Sequence, residues 1–156
     1  MIIWAVIAVL IVFVDQISKY LVVQNIGPYD IIDVIPGAFE FVYVKNTGAA
    51  FSILENMTWL LGLISVAFCI FVVIFVIKKR PTSKVFLFSL SLLLGGALGN
   101  GIDRIFRKFV VDFIKTSFID FPVFNVADIA ITVGAVILII YVMKTDSKDA
   151  QKQGEE

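Results

Sequence analysis

Histidine is absent from the 156-residue chain, and cysteine occurs once, as Cys69. Without imidazole the sequence has no histidine general base, no His-ligated metal site and no Ser-His-Asp arrangement. A single cysteine excludes an internal disulfide and a CxxC metal or redox site. Any catalysis must therefore use carboxylates or lysine, and we expect neither a metal nor a cofactor.

Charge is also scarce, because only 17% of the residues are charged while 60% are hydrophobic and the mean hydropathy is +0.98. Soluble domains average about 25% charged residues, so the composition predicts a membrane protein. The 13 basic and 13 acidic residues balance, which leaves no overall field to attract nucleic acid. We predict one membrane domain over residues 1–143 and a disordered cytoplasmic tail over residues 144–156.

Two runs of the sequence, Met57 to Ile77 and Val85 to Ile102, contain no charged residue and are long enough to cross a bilayer as helices. Ile2 to Val23 and Phe121 to Met143 are apolar with few polar interruptions. The sequence therefore predicts four transmembrane helices.

The link between the second and third predicted helices is strongly basic and contains Lys78, Lys79, Arg80 and Lys84. The positive-inside rule places such a link in the cytoplasm. Both termini are then expected in the cytoplasm, and the first helix is expected to remain as a signal anchor because it lacks a basic n-region and a small-residue cleavage site.

Two segments are then left on the outer side. Residues 39–44 alternate aromatic side chains with other residues between turn signals, which predicts a small β element. Apolar residues within 105–120 recur at helical spacing beside basic residues, which favours an interfacial loop or helix. The predicted fold class is an all-α membrane protein with four transmembrane helices, a small β-sheet element and this interfacial segment on its outer face.

Polar residues inside the predicted helices are informative, because a charge at mid-bilayer costs about 2.5–3.5 kcal/mol. At a rise of about 1.5 Å per residue, seven of them fall in one layer near the outer face. Asp112 follows shortly after this layer. The seven residues are Asp15, Lys19, Asn100, Asp103, Arg104, Asn125 and Asp128.

Each of these features also has a structural interpretation. Asp15 and Lys19 can form an i, i+4 ion pair, and Gly95 and Gly99 have the GxxxG spacing of helix packing. Asn125 with Asp128 would suit the cap and first turn of a helix. Asp112 could be a solvent-facing residue of an interfacial helix. Alternatively, the Asp15–Lys19 pair orients neighbouring groups around a polar cavity.

Two carboxylates that share a partly desolvated site cannot both ionise easily, so one stays protonated while the other is charged. Such a pair suits peptide hydrolysis, because the ionised member can take a proton from water and the protonated member can donate one. This chemistry needs no metal.

Five segments in order resemble the motifs of the lipoprotein signal peptidase family, the type II signal peptidases. The motifs are specific in combination, and the match covers most of the chain. The segments are Asp15-Gln16-Ile17-Ser18-Lys19, Asn46-Thr47-Gly48-Ala49-Ala50-Phe51, Gly95 to Arg104, Val110-Val111-Asp112-Phe113 and Phe124-Asn125-Val126-Ala127-Asp128.

The resemblance implies an intramembrane aspartic endopeptidase of the bacterial cytoplasmic membrane. It would remove the signal peptide of a prolipoprotein just before a diacylglyceryl-modified cysteine, with Asp112 and Asp128 as the catalytic dyad. Asn46, Asn100, Arg104 and Asn125 would contact substrate or orient the dyad. Asp15, Lys19 and Asp103 would support the site, and the partners would be substrate and membrane lipid, with the enzyme a monomer.

Two other functions are compatible with four helices. One is a small proton-coupled transporter that uses Asp15 or Asp128, although such sites tend to lie near the midplane of repeated halves and no repeat is visible. The other is a scaffold whose charged pairs only specify helix packing. Proteolysis that depends on Asp112 would separate the peptidase from both.

Overall fold

The computed structural model describes residues 2–49 and 53–153. Within them, four helices are long and apolar enough to cross a membrane, and three strands form one small sheet. This confirms the predicted fold class. In chain order the elements are α1 (Ile2–Asn25), β1 (Ile32–Ile35), β2 (Phe39–Asn46), α2 (Thr58–Lys79), α3 (Lys84–Phe106), β3 (Val110–Thr116) and α4 (Val126–Gln153).

Helix α3 is the centre of the bundle and packs against each of the other three helices. Small residues make this possible. A Cβ atom on Gly95 would lie 2.9 Å from the Ala8 carbonyl oxygen of α1, and one on Gly96 would lie 2.5 Å from the Ala127 carbonyl oxygen of α4. The glycine-rich C-terminal half of α3 therefore allows α1 and α4 to approach its backbone closely.

The antiparallel sheet has the order β1-β2-β3 and lies at the C-terminal end of α1. Val22 and Ile26 of α1 pack with Val111 and Phe113 of β3 in a buried apolar cluster. This cluster fixes the height of β3, and hence of Asp112, relative to the helices.

The expectation of a helix within residues 105–120 is wrong, because residues 110–116 of this segment form the strand β3. Helix α3 ends at Phe106, and Lys108 adopts a left-handed backbone with φ 67°. β-Branched residues then follow, and β2 supplies hydrogen-bond partners for the strand backbone. Apolar residues at helical spacing do not distinguish the two structures when a partner strand is distant in sequence.

The last helix begins at Val126, five residues later than the apolar run beginning at Phe121 suggests. An isolated antiparallel bridge between Ile114 and Phe124 closes the loop that precedes it. At the other end α4 continues to Gln153, into the segment that was expected to be a disordered tail. Residues 154–156 lie outside the described residues, and the domain boundary at 143 remains a prediction.

Candidate active site

A cavity of about 960 Å³ lies at the C-terminal end of α3 and the N-terminal end of α4, beside strands β2 and β3. Its lining continues along α4 as far as Val133, so it extends from the layer of polar residues toward the apolar part of the helix. The predicted site residues that line it are Asn46, Asn100, Arg104, Asp112 and Asp128.

Asp128 belongs to a capping box at the start of α4. Its backbone N–H donates to Asn125 Oδ1 over 3.0 Å, and the Asn125 backbone N–H donates to Asp128 Oδ2 over 3.1 Å. This reciprocal pair satisfies two free amides of the helix terminus. The structural interpretation of Asn125 and Asp128 is therefore correct, and the same geometry holds the Asp128 carboxyl at the cavity wall.

Asp112 reaches the same cavity from β3, although its side chain is only 2% exposed. Asn46 donates to its Oδ2 over 2.8 Å, and Asn125 donates to its Oδ1 over 2.6 Å. Burial raises the pKa of Asp112 to about 6, the Asn46 hydrogen bond opposes this, and the Asp128 charge adds to it. Asp112 is thus not the solvent-facing helical residue of the alternative interpretation.

Amide N–H groups hold every oxygen of the two carboxylates. Asn100 Nδ2 donates to Asp128 Oδ1 over 2.8 Å. The other three oxygens accept the hydrogen bonds from Asn46 and Asn125 described above. Asn125 Nδ2 also donates to Asn100 Oδ1 over 3.1 Å. Because each carboxylate oxygen has two lone pairs, one remains on each for water or substrate.

A buried ion cluster lies behind this cavity and contains the three predicted support residues. Lys19 Nζ is 2.8 Å from Asp15 Oδ2 and 3.0 Å from Asp103 Oδ2, and all three side chains are fully buried. The predicted Asp15–Lys19 pair therefore forms, with Asp103 as a second acid on the same cation. None of the three is among the residues that line the cavity.

Arg104 is one of three cations that line the cavity, with Lys45 and Lys115. Its Nη2 donates to the Gly48 carbonyl oxygen over 3.4 Å. Its Nε is buried and has no hydrogen-bond partner among the described residues. A buried donor without a partner is costly, so this N–H is available for an acceptor that enters the cavity.

Sequence reasoning missed three contributors to the site. Gln16 Nε2 donates to Asp15, Asp103 and the Gly99 carbonyl oxygen, and Arg107 pairs with Asp103 Oδ1. Gly48 N donates to Asn46 Oδ1 over 2.9 Å and so orients that amide. Gln16 inside an apolar helix was the one detectable signal. Ala50 and Phe51 of the outer-loop motif lie outside the described residues.

Metal ligands are not grouped in this site. Within residues 2–49 and 53–153, no cluster of three or more Asp, Glu, Cys or His side chains could hold an ion. The arrangement offers two carboxyls, a set of amide donors and one arginine. Chemically, it can bind a polar backbone group and transfer protons.

Comparison with known proteins agrees with the fold and with the segments quoted above. Residues 7–144 match the family model described as signal peptidase (SPase) II. A curated relative named lipoprotein signal peptidase, from Anoxybacillus flavithermus, is 40% identical over 149 residues, which cover 94% of this chain and 87% of the relative.

Two solved structures are similar over nearly the whole chain. A bacterial membrane enzyme solved by the in meso method at 2.3 Å resolution superposes with a TM-score of 0.90 at 36% identity, and the match covers 95% of this chain and 92% of that one. A second, at 1.9 Å resolution, gives a TM-score of 0.84 at 36% identity, with 92% and 94% covered.

Proposed function

Because this chain belongs to the signal peptidase II family, we propose that it is an aspartic endopeptidase that cleaves diacylglyceryl-modified prolipoproteins before the lipidated cysteine. One observation carries the aspartic assignment. The carboxyls of Asp112 and Asp128 reach one cavity from separate elements, and amide donors hold all four of their oxygens.

In this mechanism one carboxyl of the dyad is ionised and the other is protonated. A water molecule attacks the scissile carbonyl carbon while the ionised carboxylate takes a water proton. The protonated carboxyl donates its proton to the carbonyl oxygen, which gives a neutral tetrahedral diol. The desolvated setting of Asp112 supports the presence of a proton on the pair near neutral pH.

Collapse of the diol completes the reaction. The carboxyl that took the water proton donates it to the leaving nitrogen, and the other carboxylate recovers a proton from a diol hydroxyl as the C–N bond breaks. The dyad returns to one proton. Asn46, Asn100 and Asn125 hold the two carboxyls during both steps, and the unpartnered Nε of Arg104 is a donor for a substrate carbonyl.

Substrate access follows from the position of the cavity. Its wall runs from the outer polar layer down to Thr132 and Val133 on α4, so an apolar signal helix and lipid chains can enter from the bilayer. The basic link between α2 and α3 supports a cytoplasmic location for that end of α3 and an outer location for the aspartates. A monomer provides all the residues of the proposed dyad.

The orientation can be tested with the single native cysteine removed. In a Cys69→Ser background, Thr82→Cys and Ser117→Cys place exposed thiols at opposite ends of the molecule. In intact cells an impermeant thiol reagent should label Ser117→Cys, and it should reach Thr82→Cys only after the membrane is opened. The reverse pattern would contradict the proposed orientation.

The activity test uses purified full-length protein with diacylated and unlipidated forms of one prolipoprotein, with products read by mass spectrometry. We expect cleavage before the cysteine in the diacylated form only. Asp112→Asn and Asp128→Asn should each reduce the rate by at least about 1,000-fold. Asp33→Asn, on an exposed position of β1, is the matched control and should cleave normally.

Two results would contradict this proposal. Full activity of either dyad variant would remove that residue from the chemistry. Proton-coupled flux in proteoliposomes that depends on Asp128, without cleavage, would favour a transporter instead.

A further inference from the structure

The Lys19 ammonium satisfies all three of its N–H donors inside the protein. Its Nζ is 2.8 Å from Asp15 Oδ2, 3.0 Å from Asp103 Oδ2 and 2.9 Å from Asn100 Oδ1. An ammonium has three donors and no acceptor, so this side chain is fully matched. It lies behind the cavity and is not among the lining residues.

Each carboxylate bound to Lys19 also holds a backbone amide next to one member of the dyad. Asp103 Oδ2 accepts from Val111 N over 3.2 Å, and Val111 directly precedes Asp112. Asp15 Oδ1 accepts from Ala127 N over 3.0 Å, and Ala127 directly precedes Asp128. Lys19 is thereby linked through Asp103 to the backbone beside Asp112, and through Asp15 to the backbone beside Asp128.

The third acceptor of Lys19 determines an amide orientation. Because the ammonium only donates, Asn100 must present Oδ1 to it, and the amide nitrogen then faces Asp128 Oδ1 at 2.8 Å. With the Asn100 amide reversed, Asp128 would face an oxygen instead of a donor. Lys19 therefore favours the orientation in which Asp128 accepts this hydrogen bond.

We propose that Asp15, Lys19 and Asp103 form a clamp that sets the separation and orientation of the two dyad carboxyls, with Lys19 as its central positioning residue. The inference rests on the proposed function, because the clamp has a role only if the dyad performs the chemistry. It assigns a distinct task to residues that do not line the cavity.

Stability alone does not require charges at this place. Burying ions is costly, and a well-packed apolar replacement is often as stable as a buried ion pair. The backbone also makes room for the clamp, since a Cβ atom on Gly99 would lie 2.6 Å from Asp15 Oδ2. The packing of α3 against α1 is thus shaped around a carboxylate.

The clamp also affects the charge around the dyad. The charged groups that act on it are Lys19 and Asp15 from α1, and Arg104 from α3, which itself interacts with Asp103. Loss of the ammonium makes the surroundings more negative, which favours protonated carboxyls and moves both limbs of the pH–rate profile to higher pH. Loss of one clamp acid has the opposite effect.

The experiment measures kcat and KM across pH for Lys19→Met, Asp103→Asn and Asp15→Asn with a diacylated prolipoprotein. We expect Lys19→Met to lower kcat by about 100-fold, as misplaced groups do, with KM changed by less than about twofold. Both limbs of the pH–rate profile of Lys19→Met should move to higher pH by about one unit, and those of the two Asn variants should move to lower pH. A role in stability alone would leave the kcat of the folded variants unchanged, because the limb shifts report the charge and the loss of kcat reports the position.

Lys79→Met is the matched control, because it makes the same substitution at an exposed lysine that ends α2 and does not line the cavity. It should change kcat by about twofold or less. The double variant Lys19→Met/Asp103→Asn restores the net charge. Its pH limbs should return toward those of the wild type while kcat stays low, which separates position from charge.

Thermal unfolding in detergent shows which variants fold. If Lys19→Met does not fold, the nearly isosteric Asp15→Asn and Asp103→Asn carry the test, because each weakens one backbone link of the clamp and should lower kcat. Folded variants with wild-type kcat would overturn the clamp. If Asp112→Asn or Asp128→Asn also cleaves normally, the proposed dyad has failed rather than the clamp alone.

Discussion

The molecule contains two pairs of aspartates near the end of the bundle that carries the sheet, and the pairs are held differently. Asp15 and Asp103 share one ammonium at 2.8 and 3.0 Å, and Asp103 has Arg107 as a second cation. Asp112 and Asp128 accept only from amides, and neither takes part in an ion pair within 4.0 Å among the described residues. The first pair is balanced by cations and the second is not.

This difference supports the proposal that the first pair has a structural role and the second performs the chemistry. Buried acids with a full complement of cations can remain ionised and serve as fixed attachment points. Acids held by neutral donors in a desolvated cavity keep a tendency to bind a proton, which general acid–base chemistry needs. Location in one polar layer does not tell the pairs apart, whereas the nature of their partners does.

The strongest way to disrupt the reactive pair without touching a carboxyl is Asn125→Ala. This change removes the donor to Asp112 Oδ1 and the cap that accepts from Asp128 N. We expect activity to fall by about 100-fold or more and stability to fall by about 1–2 kcal/mol, a typical cap loss. Cleavage rates and thermal unfolding measure the two effects, and wild-type activity would show that the cap does not position the dyad.

The desolvated setting of Asp112, which forms no ion pair with the described residues, also predicts how the stability of the folded protein depends on pH. The pKa of Asp112 is about 6 in the folded protein against an ordinary value of 3.8, so the folded state binds more protons in that window. Stability should therefore fall as pH rises from about 4 to about 6, by about 3 kcal/mol in total. Asp112→Asn should flatten this slope in thermal unfolding measured across pH. An unchanged slope would exclude Asp112 as its source.

Two glycines of α3 provide a matched test of the contact between α3 and the Asp15 carboxylate. Gly99→Ala would place a Cβ atom 2.6 Å from Asp15 Oδ2, whereas Gly101→Ala would place one 3.2 Å from Ser65 Cβ. We expect the first to destabilise by about 1–3 kcal/mol and to lower kcat, because Asp15 must move. The second should have a smaller effect on both. Equal effects would mean that helix packing, and not Asp15, dominates at Gly99.

The smallest expected effect concerns one donor to the reactive pair. Asn46→Ala removes the hydrogen bond to Asp112 Oδ2, which lowers the pKa of that carboxyl in the native protein. The pKa of Asp112 should then rise above about 6, and the limb of the pH–rate profile that reports it should move to higher pH, with about a tenfold loss of activity. Asn25→Ala, an exposed amide on α1, should leave the profile unmoved.

Much of this arrangement could be predicted from the sequence. Long apolar runs located the helices, and polar interruptions at Asp15, Lys19 and Asn100 located one layer of the site. Asn125 and Asp128 were predicted both as a cap and as site residues, and the capping box shows that one geometry serves both. Local sequence patterns predict a residue's environment correctly when the residue's own helix forms that environment.

Long-range pairing accounts for what could not be predicted. Residues 110–116 are a strand because β2, some 70 positions earlier in the chain, provides its partners. The link from Asp103 to Val111 N depends on the turn at Lys108, and the link from Asp15 to Ala127 N spans 112 positions. Sequence spacing placed these acids at one depth but could not distinguish the clamp from the dyad.

Infrared difference spectroscopy of the carboxyl stretch across pH measures directly whether Asp112 and Asp128 titrate as one coupled pair. The double variant Asp112→Asn/Asp128→Asn is the reference. We expect the dyad to take up one proton near pH 6 and a second only at clearly lower pH, because the two acids share a desolvated cavity. Uptake of both protons together near the ordinary value of 3.8 would contradict it.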